Sequence, residues 1–131
     1  MKFSEFYIQI GRLIYAIAKS DGKVHKEEVE RFKTILNKEL LHLHTSEDAY
    51  GTNHAYYAEF EIERLIEKQT DKNEAFTSFI LFMEQHRDYF DEKIRNLCYE
   101  TARRIAIAHR GIEPEESKML IELNNKLNDL H

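Results

Sequence analysis

The sequence predicts an all-α fold, a single domain over residues 1–131 built as a bundle of about six helices. Four glycines and one proline leave little material for turns, so long regular elements are favoured. Apolar residues recur at the three- and four-residue spacing of helices, and β-branched residues do not gather in alternating runs. A chain of this length buries roughly two-thirds of its unfolded surface, which makes a stable core without disulfides or metal.

The overall charge and the cysteine content limit the function classes. The net charge is −5, which gives no electrostatic reason to bind nucleic acid or anionic lipid. Cys98 is the sole cysteine, so an internal disulfide is excluded and a reducing compartment is favoured. Residues 1–6 have periodic rather than continuous apolar positions, unlike a signal peptide or a membrane span. We therefore expect a cytoplasmic protein that does not insert into membranes.

The first two helices follow from their apolar stripes. The first helix is predicted from Ser4, a good N-cap residue, to Ser20. Gly11 lies inside it at a cost of up to about 1 kcal/mol relative to alanine, and we attribute it to close packing against another helix. The second helix is predicted from about Lys26 to His44.

A loop over Thr45–Asn53 is predicted next, because this stretch has no apolar periodicity and contains a glycine. Tyr50, Tyr56 and Tyr57 lie in or beside it. Such aromatic residues either anchor a partner or fold back onto the core, and folding back is the more common case.

Four more helices complete the predicted bundle. The third spans about His54 to Gln69, and the fourth follows an Asp71 cap. Because residues 79–83 are apolar all round, we expect the fourth helix to be the central, mostly buried one. Asp91 is predicted to cap a fifth helix over Glu92–His109, and Pro114 opens the sixth.

The stretch Ala18–Val29 is the most specific part of the sequence. Its Asp-Gly pair predicts a helix stop, with Gly22 at positive φ. Glu27 and Glu28 then fall in the first turn of the next helix, where carboxylates complement the free amides. Glu28 has the N3 position of a capping box, although His25 is a poor N-cap residue.

The chain also contains a weak internal helix–corner–helix repeat. A shift of 88 residues pairs Ile17-Ala18 with Ile105-Ala106, and Glu27-Glu28 with Glu115-Glu116. The second copy lacks the Asp-Gly pair.

Residues 13–28, Leu-Ile-Tyr-Ala-Ile-Ala-Lys-Ser-Asp-Gly-Lys-Val-His-Lys-Glu-Glu, resemble the signature of the tellurite-resistance TerB family. The same domain type resembles the N-terminal region of membrane-anchored DnaJ-like co-chaperones. The resemblance implies an acidic helical module linked to tellurite or envelope stress in bacteria, with scaffolding or sensing in place of catalysis. It also implies divalent-metal binding by acidic side chains. A J-domain needs a His-Pro-Asp loop, and the sole proline here, Pro114, is not in one.

Two kinds of metal site are considered at the corner between the first two helices, residues 18–29, and at its repeat near residues 106–116. An EF-hand is excluded, because its first and third ligand positions would be Ile17 and Lys19. A weaker Ca²⁺ or Mg²⁺ site could form if the two corners approach each other in the fold. The candidate ligands are Asp21, Glu27, Glu28, Glu113, Glu115 and Glu116. Helix capping alone also explains these residue types and is the more frequent reason for them.

Catalytic and zinc motifs are not visible. His42 and His44 are two apart and point to different sides of a helix, and Cys98 lies on an apolar helix face. We expect a non-catalytic TerB-like module that acts through a protein partner, with a membrane-associated protein among the candidates. The alternatives are a small enzyme whose site forms only in three dimensions and a structural homodimer. A polar pocket with convergent perturbed groups would favour the enzyme, and an exposed acidic or aromatic surface the module.

Overall fold

A computed structural model describes residues 2–20, 22–40, 55–108 and 114–130. These residues form six α-helices and no strand, which confirms the predicted all-α bundle. The helices are α1 (Phe3–Lys19), α2 (Val29–Leu40), α3 (Ala55–Lys68), α4 (Lys72–Gln85), α5 (Glu92–Ala108) and α6 (Pro114–Asn128), and a 3₁₀ turn (Lys26–Glu28) precedes α2. The end of the predicted second helix at His44, the Thr45–Asn53 loop and Tyr50 lie outside the described residues.

Three of the predicted helix starts are confirmed. The Asp71 carboxylate accepts hydrogen bonds from two backbone N–H groups in the first turn of α4, at 2.9 and 3.2 Å. Asp91 accepts from the N–H of Ile94 at 2.9 Å and so caps α5, and Pro114 is the first residue of α6. The two aspartates satisfy donors that a helix start otherwise leaves without partners, and a proline at the first position has no N–H that needs one.

The predicted cap of the first helix is wrong. Helix α1 begins at Phe3, and its N-cap is Lys2, which makes no side-chain capping bond. Ser4 is therefore inside the first turn.

The core is built around α1, not around α4 as expected. Helix α1 packs against α3, α4, α5 and α6, and its residues Tyr7 and Tyr15 are at most 1% exposed. In α4, Leu81 is 51% exposed although it lies within the apolar run. A run of five apolar residues covers only one and a half turns, whereas the buried face of α1 extends over the whole helix. Length of the apolar stripe therefore decides which helix is central.

Gly11 permits an unusually close contact between α1 and α3. A Cβ atom added to Gly11 would lie 2.7 Å from the carbonyl oxygen of Ala58 and 3.1 Å from its Cα. This confirms that Gly11 serves helix packing. The contact also brings the next side chain of α1, Arg12, within hydrogen-bond distance of Glu61 on α3.

No helix among the described ranges combines the length and the apolar character needed to cross a membrane.

Candidate functional site

The first corner, between α1 and α2, has the geometry that the sequence predicts. Gly22 has φ +120°, in the region that favours glycine. Ser20 donates its hydroxyl proton to the carbonyl of Ile17 at 2.6 Å, and the Glu28 carboxylate accepts from the backbone N–H of His25 at 2.9 Å. Glu28 thus fills the N3 role of a capping box, and its carboxylate stabilises the start of the following helix.

The predicted metal ligands differ in their exposure to solvent. Glu27 is exposed, whereas Glu116 is fully buried. Glu115 is exposed and lies 3.4 Å from the Nζ atom of Lys118. The remaining two candidates, Asp21 and Glu113, are outside the described residues.

A calcium or magnesium site at the two corners stays a prediction. In the part of the chain that the structure describes, no three His, Cys, Asp or Glu side chains are arranged to hold a metal ion. A titration with either cation, followed by NMR, tests whether shifts are confined to residues 21–28 and 113–116.

The first corner borders a cleft whose charged side chains are basic rather than acidic. The cleft has a volume of about 380 Å³, and its walls include Lys19, Lys23 and His25. Lys19 Nζ lies 5.6 Å from the centre of the Tyr15 ring, within cation–π distance. The Tyr15 hydroxyl in turn donates to the carbonyl oxygen of Thr70. This basic wall was not predicted from the sequence, in which the adjacent glutamates are the more prominent signal.

Two groups whose pKa is raised by burial, Tyr7 and Cys98, lie in the core. Burial raises the pKa of Tyr7 to about 12, and burial also raises the pKa of the Cys98 thiol. Cys98 is fully buried on α5. A thiol in such a position is protonated and inaccessible, so it is a poor nucleophile.

A charged cluster joins α1 to α3. The Glu61 carboxylate, only 6% exposed, accepts from Arg12 Nε at 2.6 Å and from Arg64 Nε and Nη2 at 2.6 and 2.8 Å. Burial alone would raise the pKa of Glu61, but the hydrogen bonds and charges of the two arginines outweigh it and lower this pKa. We call these three residues the Arg–Glu–Arg triad.

The triad was also missed by the sequence analysis. The three-residue spacing of Glu61 and Arg64 on one helix was visible as a signal for a pair. Arg12 is 49 positions from Glu61, however, and only the packing of α1 against α3 brings it into the cluster.

An aromatic surface lies on the first turns of α3. Tyr56, Tyr57 and Phe60 are 46%, 38% and 50% exposed. The rings of Tyr56 and Phe60 meet edge to face with their centres 4.1 Å apart. Tyr56 and Tyr57 therefore do not fold back onto the core, although that was the more common case expected from sequence. The four-residue spacing of Tyr56 and Phe60 is the sequence signal that indicates this contact.

The same face of α3 continues with carboxylates. Glu63 and Glu67 follow Phe60 by three and seven residues, so all four side chains lie in one line along the helix. Neither glutamate makes an ion pair with another described residue. We call the line of Tyr56, Phe60, Glu63 and Glu67 the α3 stripe.

Comparisons of the chain with protein-family models, with curated proteins and with solved structures found no match. The TerB resemblance therefore rests on residues 13–28 and on the helical architecture.

Proposed function

We propose that the protein is a non-catalytic, TerB-like interaction module of the bacterial response to tellurite or envelope stress. The α3 stripe is the observation that supports an interaction role, and the resemblance of residues 13–28 to the TerB signature is what supports the stress role. Adjacent exposed aromatic rings bury a large apolar area when a partner docks, and the edge-to-face contact of Tyr56 with Phe60 restricts both rings before binding. Aromatic side chains are also among the residues that contribute most to protein–protein affinity.

The chemistry of the stripe favours a partner with a basic segment. Two aromatic rings are followed along the helix by Glu63 and Glu67, and the chain carries a net charge of −5. Lysine or arginine side chains are attracted both to aromatic faces and to carboxylates. We therefore propose a partner protein whose docking segment carries apolar residues beside lysine or arginine.

Photo-crosslinking in the native cell tests this partner. A photoreactive amino acid is placed at Phe60 in one variant and at Ile121 of α6, which is 59% exposed, in the control. We expect position 60 to capture a protein through a peptide that contains lysine or arginine, and position 121 to capture none of it. Capture of the same proteins at both positions would contradict the proposal. Capture of a second copy of this chain alone would favour the structural homodimer.

Genetic complementation tests the stress role. A strain lacking the gene is expected to be sensitive to tellurite or to an envelope stress and to be rescued by the wild-type gene. The double variant Tyr56→Ser/Phe60→Ser should fail to rescue, because loss of two central aromatic contacts costs at least about 2 kcal/mol of binding energy. The matched variant Ile121→Ser should rescue fully. Rescue by the double variant would contradict a role for the α3 stripe.

A further inference from the structure

A small polar cleft lies directly over the Arg–Glu–Arg triad. It has a volume of about 190 Å³ and is bordered by α1, by α3 and α4, and by the turn between the latter two helices. Its polar lining consists of Arg12, Arg64, Lys68, Thr70, Glu74 and Ser78. We call it the triad cleft.

The Glu61 carboxylate holds both arginines in place from behind the cleft. Its three short hydrogen bonds fix the Nε edge of each guanidinium, and it lies beneath the cleft rather than in its lining. Arg12 Nη1 also donates to the Ser78 hydroxyl at 2.6 Å and to the carboxamide oxygen of Gln9 at 3.0 Å. The conformational entropy of these side chains is therefore lost on folding, which leaves less to lose when a ligand binds.

The basic residues that line the cleft keep hydrogen-bond donors that no other described residue uses. Within the described part of the chain, Arg12 Nη2, Arg64 Nη1 and Lys68 Nζ make no hydrogen bond or ion pair. The hydroxyls of Thr70 and Ser78 border the same space. The three cations Arg12, Arg64 and Lys68 are opposed by two carboxylates, Glu61 beneath the cleft and the exposed Glu74 in its lining. The net charge of this group is therefore +1.

We propose that the triad cleft binds a phosphate group. Its donors come from α1, from α3 and from the turn after α3, so they approach from several directions and suit a tetrahedral anion. A carboxylate has only two oxygens in one plane and would leave part of these donors without a partner. The volume is well below the roughly 300–1,000 Å³ of pockets that enclose drug-sized ligands, so a single phosphate group fits and a whole nucleotide does not.

The phosphate has two possible sources, free inorganic phosphate and the terminal group of a phosphate monoester. The proposal uses none of the residues of the α3 stripe and stands independently of the proposed function.

Titration with inorganic phosphate, followed by calorimetry and by the NMR signals of the Arg12 and Arg64 Nε–H groups, tests the proposal. We expect saturable binding. Lys68→Ala leaves the triad intact and should weaken binding about tenfold, the effect of losing one charge-assisted hydrogen bond. Glu74→Gln should tighten it several-fold, because the opposing charge is removed. The matched control is Lys126→Ala on α6, which should stay within about twofold of the wild type.

Three results would overturn the proposal: shifts that do not saturate, equal weakening by Lys68→Ala and Lys126→Ala, or acetate binding as tightly as phosphate. The first two would show diffuse attraction to surface charge, and the third a general anion site. A parallel titration with methyl phosphate identifies the source. Tighter binding of methyl phosphate indicates a monoester on a larger molecule, and tighter binding of inorganic phosphate indicates the free ion.

Discussion

Replacement of Gly11 by alanine should destabilise the fold, against the helix propensity of the two residues. The new Cβ would lie 2.7 Å from the Ala58 carbonyl oxygen and 3.2 Å from the Cβ of Glu61. The first of these neighbours belongs to the backbone of α3 and cannot rotate away. The two helices must therefore separate by several tenths of an ångström to reach ordinary contact, which begins near 3.4 Å.

Two opposing terms set the size of the effect. Alanine is favoured over glycine within a helix by about 1 kcal/mol. Overpacking a well-filled contact costs about 1–3 kcal/mol, and a clash with backbone belongs at the upper end. The separation also lengthens the 2.6 Å bond between Arg12 and Glu61. We expect a net loss of about 1–2 kcal/mol in the free energy of unfolding, or a melting temperature lower by roughly 4–7 °C.

Urea unfolding followed by circular dichroism measures this loss, with Asn96→Ala as the control. Asn96 is exposed in the second turn of α5, so alanine there brings the gain in helix propensity without a new contact. Its variant should match or exceed the wild type in stability. If Gly11→Ala is also as stable as the wild type, α1 and α3 do not approach as closely as described, and the packing explanation for Gly11 is wrong.

Three further predictions concern a cap, a thiol and a buried carboxylate. Asp71→Ala removes two backbone hydrogen bonds at the start of α4 and should cost about 1 kcal/mol in urea unfolding, whereas Asp88→Ala in an exposed turn should cost nothing measurable. Because burial raises the pKa of the Cys98 thiol, iodoacetamide should modify it only in urea, and rapid modification in native buffer would contradict this burial. Glu61→Gln should cost about 2 kcal/mol at pH 7. Since the two arginines hold the pKa of Glu61 below 4.5, this loss should be full above pH 4.5 and should shrink as the pH falls through the lowered pKa; a loss that stays constant to pH 3 would refute the charge-based account.

Local sequence signals predicted the helices and most of their starts. Asp71, Asp91 and Pro114 act on residues within four positions of themselves, so their effect on the backbone needs no knowledge of the fold. The position of each helix in the bundle depends instead on contacts with the other helices. The apolar run in α4 has the composition of a buried segment, yet Leu81 faces outward because neighbouring helices cover only part of its circumference.

The candidate sites were less predictable, because they depend on contacts between distant segments. Glu27 and Glu28 are adjacent in one turn, and this local pattern predicts an acidic site at the corner between α1 and α2. The basic wall beside it combines Lys19 and Lys23 with a ring from the interior of α1. Likewise, nothing near Arg12 in sequence indicates a carboxylate partner, since Glu61 lies on another helix.

The contact at Gly11 links the fold to the triad cleft. Arg12 follows Gly11 directly, and its Nε must come within hydrogen-bond distance of a carboxylate that belongs to α3. A larger residue at position 11 holds the backbones of α1 and α3 apart. The Arg12 guanidinium could then no longer keep its hydrogen bonds to both Glu61 on α3 and Ser78 on α4. The α3 stripe lies on the exposed face of the same helix and makes no use of this contact. Loosening the α1–α3 packing should therefore weaken phosphate binding in the triad cleft while it leaves the edge-to-face rings of Tyr56 and Phe60 in place, so the two proposed surfaces are separable by mutation.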